Sequence, residues 1–172
     1  SEDEILSAMD PKTRNAIKTA EGAGVVVDQA GVKEIQEGIE AILVDRSAKV
    51  RFDLLDSIFN SVTEDSSIRL EASLDRKREA LSYCIVHGDE AYYLFGGNDN
   101  TGSVGSSGSL IMWSAIKEAK SRGLSVFDFE GSMIPGVEKF FRGFGGEMTT
   151  YFAIQKIPLV YKIAAQITGK KF

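Results

Sequence analysis

Cysteine and histidine are almost absent from this 172-residue chain, which has one of each, Cys84 and His87. A single cysteine excludes an intramolecular disulfide and any zinc site built on several cysteines. Cys84 lies in an apolar segment, where a cysteine is usually a small core residue. His87 precedes Gly88-Asp89, so we expect an exposed turn residue there rather than a catalytic base. Any metal site would depend on carboxylates alone, and no tight cluster of them is present, so no metal site is predicted.

Long apolar runs are also lacking, since none approaches the length of about 18 residues that a membrane helix needs. The first residues do not show the basic and then apolar pattern of a signal peptide. With the lack of disulfides, these features favour a cytoplasmic location. A net charge of −5 argues against a broad nucleic-acid-binding surface. The composition is typical of a globular protein, and we expect residues 1–172 to form one domain.

Helical and strand patterns follow one another along the chain. Apolar residues at helical spacing, together with capping residues such as Asp10-Pro11, predict helices at about 11–20, 32–46, 52–63, 109–121, 135–141 and 158–167. Alternating or β-branched apolar residues predict strands at about 25–27, 68–72, 79–87, 91–95, 126–129 and 147–155.

The order of these elements predicts an α/β (α+β) fold with a mixed β-sheet and helices on both faces. The middle strands are joined by short connections, including a tight hairpin at Gly88-Asp89, and should be antiparallel. The strand–helix–strand unit over 91–129 should be a parallel crossover. Dinucleotide folds and barrels require a stricter alternation of strands and helices, so they are excluded.

A glycine-rich segment between residues 96 and 108 follows a strand and leads into a helix. The free N–H groups of a helix N-terminus attract anions, and glycines allow an anion to approach the backbone closely. We therefore interpret the segment as a candidate phosphate site; the alternative is simply a flexible loop. It does not match a Walker loop, the dinucleotide-binding pattern or a calcium loop. The candidate binding residues are Gly102, Ser103, Gly105, Ser106 and Gly108.

Two carboxylates, Asp128 and Glu130, stand at the end of a predicted central strand. Residues at the carboxyl ends of parallel strands commonly line ligand crevices, and strand alternation would place both carboxylates on one face. They are therefore candidate catalytic groups. A structural role is the alternative, in which Asp128 caps the following turn or pairs with Lys139 or Arg142.

Three segments of the chain resemble the Fem-like branch of the GNAT acyltransferase superfamily. They are the strand Tyr92-Tyr93-Leu94-Phe95-Gly96-Gly97, the tryptophan-containing helix 110–120 with Gly123, and the sequence VFDFEGSMIPGVEKFFRGFGG over 126–146. The last segment is the most specific, since it combines an acidic strand end with a Phe-x₃-Phe-Gly-Gly turn.

The resemblance implies a V-splayed mixed sheet and acyl transfer to an amine or hydroxyl group. The donor lies in the split; it is acyl-coenzyme A in GNAT enzymes and aminoacyl-tRNA in Fem-type enzymes, whose acceptor is a peptidoglycan precursor. A small-molecule acceptor is the alternative. No tightly bound cofactor is implied, only acyl-coenzyme A as a co-substrate, and charge does not indicate tRNA.

On this hypothesis the backbone of Leu94, Phe95, Gly96 and Gly97 holds the donor, and Glu130 or Asp128 deprotonates the acceptor. The residues 101–106 lack the Arg or Gln that begins the usual coenzyme A signature. Because Fem-like enzymes often contain two such domains, a second hypothesis is that the chain is a non-catalytic binding lobe of a larger protein. A small-molecule sensor is a third, for which no effector domain is evident.

Overall fold

The computed structural model describes residues 1–45, 52–99 and 101–150 of the chain. In this part of the chain the helices are α1 (Glu2–Ala8), α2 (Pro11–Gly22), α3 (Val32–Asp45), α4 (Phe52–Ser61), α5 (Ser107–Ser121) and α6 (Pro135–Arg142). The strands are β1 (Val26–Gln29), β2 (Ser67–Leu74), β3 (Lys77–His87), β4 (Glu90–Asn98) and β5 (Val126–Asp128). Most of these bounds agree with the predicted ones to within two residues.

The five strands form one mixed sheet in the order β1-β2-β3-β4-β5. The first four strands pair antiparallel, and β4 pairs with β5 in parallel. The predicted hairpin is confirmed: His87 pairs with Glu90, and Gly88 adopts a φ of +63° in the turn. The parallel pairing across α5 confirms that the sheet is mixed.

Strand β3 separates two apolar cores, because its side chains alternate between the faces of the sheet. Ala80 and Cys84 belong to a core that also contains the buried side chains of α2 and α5. Leu81 and Tyr83 belong to a second core with the buried side chains of α3 and α4. The prediction of helices on both faces is therefore confirmed, and so is the burial of Cys84, where desolvation raises the thiol pKa to about 12.

Helix α1 is not predicted by the sequence patterns, because it is short and none of its residues is fully buried. A capping box between Ser1 and Glu4 begins it. Its end is fixed by Arg14 of α2, whose guanidinium donates hydrogen bonds to the carbonyl oxygens of Leu6 and Met9. The helix thus depends on a tertiary contact as well as on local capping.

The predicted end of β4 at residue 95 is wrong, since the strand continues through Gly96 and Gly97 to Asn98. Glycine usually interrupts a strand pattern. Here it allows close approach instead: a Cβ on Gly96 would lie 2.5 Å from the main-chain oxygen of Leu81 on β3. Because α5 begins at Ser107, the connection is only residues 99–106.

The predicted strand at 147–155 is wrong over residues 147–150, which form no strand. The prediction relied on an alternating pattern, which is stabilised only where a neighbouring strand pairs with it; among the described residues, none does. Residues 151–155, the predicted helix at 158–167 and Arg46 lie outside the described residues.

Candidate functional site

The candidate site is a cleft that opens where β4 and β5 stop pairing. Their parallel pairing consists of three residue pairs and ends at Tyr92 and Asp128. β4 then continues along β3 alone, while the chain after β5 turns at Glu130, which has a φ of +59°. From residue 93 onwards, one edge of β4 therefore faces the cleft instead of another strand of the described chain.

A β-bulge lies at the start of this open edge. Phe95 pairs with Tyr83 and Tyr93 pairs with Cys84, so Leu94 is an extra residue on β4. Bulges bend a strand and increase its local twist, and they are common next to active sites. This bulge lies where β4 leaves β5, and its backbone belongs to the predicted donor-binding segment.

The cleft has a volume of about 230 Å³ and mainly apolar walls. Part of one wall is aromatic: the ring of Phe141 stacks on Phe129 with centroids 5.4 Å apart and meets Tyr93 edge-on at 5.6 Å. Helix α3 contributes apolar side chains from the other core. The cleft is lined by Ile39, Ile42, Leu43, Tyr93, Leu94, Phe95, Gly96, Phe129, Glu130, Gly131, Ser132, Val137 and Phe141.

Of the two predicted catalytic carboxylates, Glu130 lines the cleft and Asp128 does not. Asp128 Oδ1 accepts a 2.7 Å hydrogen bond from the main-chain N–H of Glu130. The predicted capping role of Asp128 is thus confirmed, whereas Arg142 pairs with Glu138. Strand β5 ends at Asp128 and Glu130 has a positive φ, so strand alternation does not extend to Glu130. Both carboxylates nevertheless line a second cavity beside β5 and α6.

Tyr92, in the last residue pair of β4 and β5, is a polar residue next to the cleft that sequence reasoning did not select. Its hydroxyl donates a hydrogen bond to Glu90 Oε2. This bond is the main reason that the pKa of Tyr92 is raised above the ordinary value of 10, and the nearby carboxylates of Asp128 and Glu130 raise it further. The mouth of the cleft beside β5 is therefore electronegative.

The connection after β4 is held from inside by Glu79, a buried residue of β3. Its Oε1 accepts hydrogen bonds from the N–H (2.9 Å) and hydroxyl (2.8 Å) of Ser103, and its Oε2 accepts one from the N–H of Val104 (2.6 Å). Burial, the largest influence, raises the pKa of Glu79, but these hydrogen bonds outweigh it and lower the pKa below the ordinary 4.5. An ionised carboxylate therefore lies under the predicted phosphate-binding segment.

Asn98 holds the other half of the same connection. Its Nδ2 donates to the carbonyl oxygen of Gly105 at 2.8 Å, and its Oδ1 accepts from the N–H of Gly108 at 2.5 Å. The N–H groups of Ser103 and Gly108 are thus engaged inside the protein. Those of Gly105 and Ser106 have no acceptor among the described residues. The hydroxyl of Ser107, which is fully buried, likewise has no hydrogen-bond partner.

The predicted residues form two groups along one edge of β4. Leu94, Phe95 and Gly96 line the cleft with Glu130, and the segment 102–108 follows the end of the same strand. Sequence reasoning missed Tyr92, Glu79 and Asn98. Glu79 could have been found from the sequence, because it is a carboxylate at the start of the apolar run of β3, and a buried carboxylate requires a hydrogen-bond partner.

Other chemistries find little support in the residues that the structure describes. No group of three or more His, Cys, Asp or Glu side chains there could hold a metal ion. His87 is exposed at the end of β3, as predicted. Within the same ranges, no helix has the length and apolar character needed to cross a membrane.

The family of the chain is established by sequence comparison. Residues 13–142, well over half of the chain, match the family described as Acetyltransferase (GNAT) domain. The chain therefore belongs to the GNAT acetyltransferase family, whose general activity is acyl transfer from an activated donor to an acceptor. Comparison with curated proteins gives no match.

Several solved structures have the same fold. The crystal structure of FemX is similar with a TM-score of 0.71 and 13% identity, over 84% of this chain and 56% of FemX, so the chain spans little more than half of that protein. A predicted acetyltransferase from Clostridium acetobutylicum, solved with acetyl-CoA, has a TM-score of 0.57 and 14% identity over 80% of this chain and 97% of its own. The ribosomal-protein-S18-alanine N-acetyltransferase from Escherichia coli has a TM-score of 0.55 and 14% identity over 73% and 79%. At these identities the likeness is one of fold.

Proposed function

We propose that this domain transfers an acyl group from acyl-coenzyme A to an amine or hydroxyl acceptor, in the cleft between β4 and β5. The observation that carries the proposal is the early end of the β4–β5 pairing at Tyr92 and Asp128. On this side of β4, the backbone of Leu94–Gly97 has no neighbouring strand among the described residues, so an extended ligand can bind there as an added strand does. An acyl-pantetheine arm carries amide groups that can form such hydrogen bonds.

The donor's phosphates would bind at the far end of β4. There the N–H groups of Gly105 and Ser106, which have no acceptor among the described residues, stand just before α5, a 15-residue helix whose N-terminus favours anions. A Cβ on Gly105 would meet no atom within 4 Å, so the space beside this residue is open. The phosphate site that we propose therefore contains fewer residues than the glycine pattern of the sequence indicates.

The chemistry requires a neutral nucleophile. The acceptor nitrogen or oxygen attacks the thioester carbonyl carbon, the bond to sulfur breaks, and the thiolate leaves with a proton from the medium. Glu130, at the cleft, is our candidate for the base that removes the acceptor's proton, directly or through a water molecule. Asp128 contributes through the hydrogen bond that fixes the backbone of Glu130.

Calorimetric titration with acetyl-coenzyme A tests the donor site. In Gly105→Glu, a carboxylate enters the open space where the phosphates would lie, so we expect affinity to fall at least about ten-fold. Gly22→Glu is the matched control, since Gly22 is exposed, also has open space at its Cβ position, and lies at the end of α2. Equal affinities of wild type and Gly105→Glu would contradict the donor site.

A second candidate places the chain in the Fem-like branch. The similarity to FemX, over 84% of this chain but only 56% of FemX, supports it. On this reading the domain is one lobe of a larger protein, or it uses aminoacyl-tRNA. A purified domain that binds no acetyl-coenzyme A, but retains labelled aminoacyl-tRNA on a filter, would favour the tRNA donor. Binding of neither donor would favour the non-catalytic lobe.

A further inference from the structure

Glu79 occupies an irregular position in β3. Ala80 pairs with Ala72 and Arg78 pairs with Ser73, so Glu79 is an extra residue with no partner on β2. An extra residue of this kind changes the direction of a side chain relative to the regular strand. Here the side chain reaches the connection between β4 and α5 rather than the apolar core.

Both the backbone and the side chain of Glu79 bind that connection. Its carbonyl oxygen accepts from the N–H of Asp99 at 2.8 Å, and its carboxylate accepts the three hydrogen bonds from Ser103 and Val104. Among the described residues, no basic side chain forms an ion pair with Glu79. The oxygens of this buried carboxylate accept hydrogen bonds from the loop, and these bonds fix the conformation of the loop.

Two further hydrogen bonds, which follow directly on the residues that Glu79 holds, determine which way the remaining amides point. In a trans peptide, the C=O of one residue and the N–H of the next point in opposite directions. The carbonyl of Val104 accepts from Ser107 N–H at 3.0 Å, and that of Gly105 accepts from Asn98. The N–H groups of Gly105 and Ser106 must therefore point away from these internal partners.

The three glycines of the loop differ in the space around their Cβ positions. A Cβ on Gly102 would lie 2.8 Å from Glu79 Oε2 and 3.0 Å from the oxygen of Asp99, and one on Gly108 would lie 2.9 Å from Asn98 Oδ1. Gly102 and Gly108 thus make room for Glu79 and Asn98. Of these three glycines, only Gly105 has no described atom within 4 Å of its Cβ position. Two of the three regularly spaced glycines are therefore required by contacts inside the protein, and the third, Gly105, leaves space for a ligand.

We propose that Glu79 is a positioning residue for donor binding: its buried carboxylate fixes residues 102–106 so that the amides of Gly105 and Ser106 face the phosphates of the donor. This inference rests on the proposed function. On this inference, the residue that determines the shape of the donor site lies on β3, far from the loop in sequence. Glu79 does not contact the donor, because it lies on the inner side of the loop.

Glu79→Gln is an informative change because glutamine has the same size but only one acceptor oxygen. Its NH₂ group would face either the N–H and hydroxyl of Ser103 or the N–H of Val104, so at least one buried donor would lose its acceptor. The loop should shift while the sheet remains. Glu71→Gln is the matched control, since it removes the same charge from β2, where Glu71 pairs with Arg78 at 2.7 Å, and leaves the loop intact.

The experiment compares two donors, acetyl-coenzyme A and S-acetylpantetheine, which lacks the phosphates. For Glu79→Gln we expect KM for acetyl-coenzyme A to rise at least about ten-fold with kcat nearly unchanged, and KM for S-acetylpantetheine to stay at the wild-type value. Glu71→Gln should match wild type with both donors. A general structural defect would affect both donors alike, so that result would overturn the inference, as would an unchanged KM for acetyl-coenzyme A.

A milder variant covers the case in which Glu79→Gln does not fold. Ser103→Ala removes only the hydroxyl bond to Oε1 and should raise KM for acetyl-coenzyme A by a few-fold, again without effect on S-acetylpantetheine. If Ser103→Ala changes neither KM, the inference is wrong. Failure of wild type to bind or use either donor would instead overturn the proposed function, and this inference with it.

Discussion

Tyr92 and Asp128 are paired at the last position that β4 and β5 share, and directly beyond them Asp128 Oδ1 holds the N–H of Glu130. A 2.7 Å hydrogen bond thus turns the chain away from the sheet at the point where the cleft begins. The bond connects the end of β5 with the placement of Glu130, the carboxylate that lines the cleft.

This arrangement predicts different effects for the two carboxylates. We expect Glu130→Gln to lower kcat about 100-fold, the order of magnitude of general-base catalysis, with KM for the donor unchanged. Asp128→Asn should lower kcat less, because asparagine retains an oxygen that can accept the N–H of Glu130. Steady-state acyl-transfer rates measure both, with the exposed Glu147→Gln as a control. A wild-type kcat in Glu130→Gln would rule out the proposed base.

Tyr92 should titrate above an ordinary tyrosine. Its hydrogen bond to Glu90 and the nearby carboxylates raise its pKa by stabilising the neutral phenol. The stabilisation is present below the unfolded pKa near 10 and is lost as the pH rises through the folded value. Ultraviolet difference titration of wild type against Tyr92→Phe isolates its signal, and Glu90→Gln should move that signal to lower pH. An unchanged midpoint in Glu90→Gln would contradict the assignment.

Glu79 should contribute a pH-dependent part of the stability. Its folded pKa is lowered, so the contribution is present above the unfolded value near 4.5 and is lost as the pH falls through the folded one. Urea denaturation should therefore show Glu79→Gln less stable than wild type by about 1–3 kcal/mol near neutral pH. The difference should narrow in acid, and a difference independent of pH would show that the charge is not involved.

Gly145 has a structural role in the Phe-x₃-Phe-Gly-Gly turn. It has a φ of +79°, and a Cβ there would lie 2.5 Å from the carbonyl oxygen of Ala8 at the end of α1. Gly145→Ala should therefore cost at least about 1–3 kcal/mol of unfolding free energy in urea denaturation.

Gly136 provides the comparison for this substitution. It lies in α6 with open space at the Cβ position, so Gly136→Ala should instead stabilise the protein by about 0.5–1 kcal/mol. Equal effects of the two alanines would show that the contact with Ala8 does not constrain the turn.

Local patterns of the sequence were sufficient for most elements of the sheet and helices. The hairpin at Gly88 and the apolar face of α5 each depend on residues close together in the chain. Helix α1 and the end of β4 were not predictable in this way. The first is held by Arg14 of another helix, and the second contains glycines whose role is set by Leu81 on a neighbouring strand.

The candidate site shows the same division. The sequence alone determined that a glycine-rich connection follows β4 and that Asp128 and Glu130 lie at the end of β5, because these features are contiguous. The tertiary structure decided that Tyr92 and Asp128 are the last pair before the cleft and that Glu79 occupies the inner side of the loop. Strand register, bulges and the partners of a buried carboxylate are long-range properties, and no local pattern specifies which distant residue supplies them.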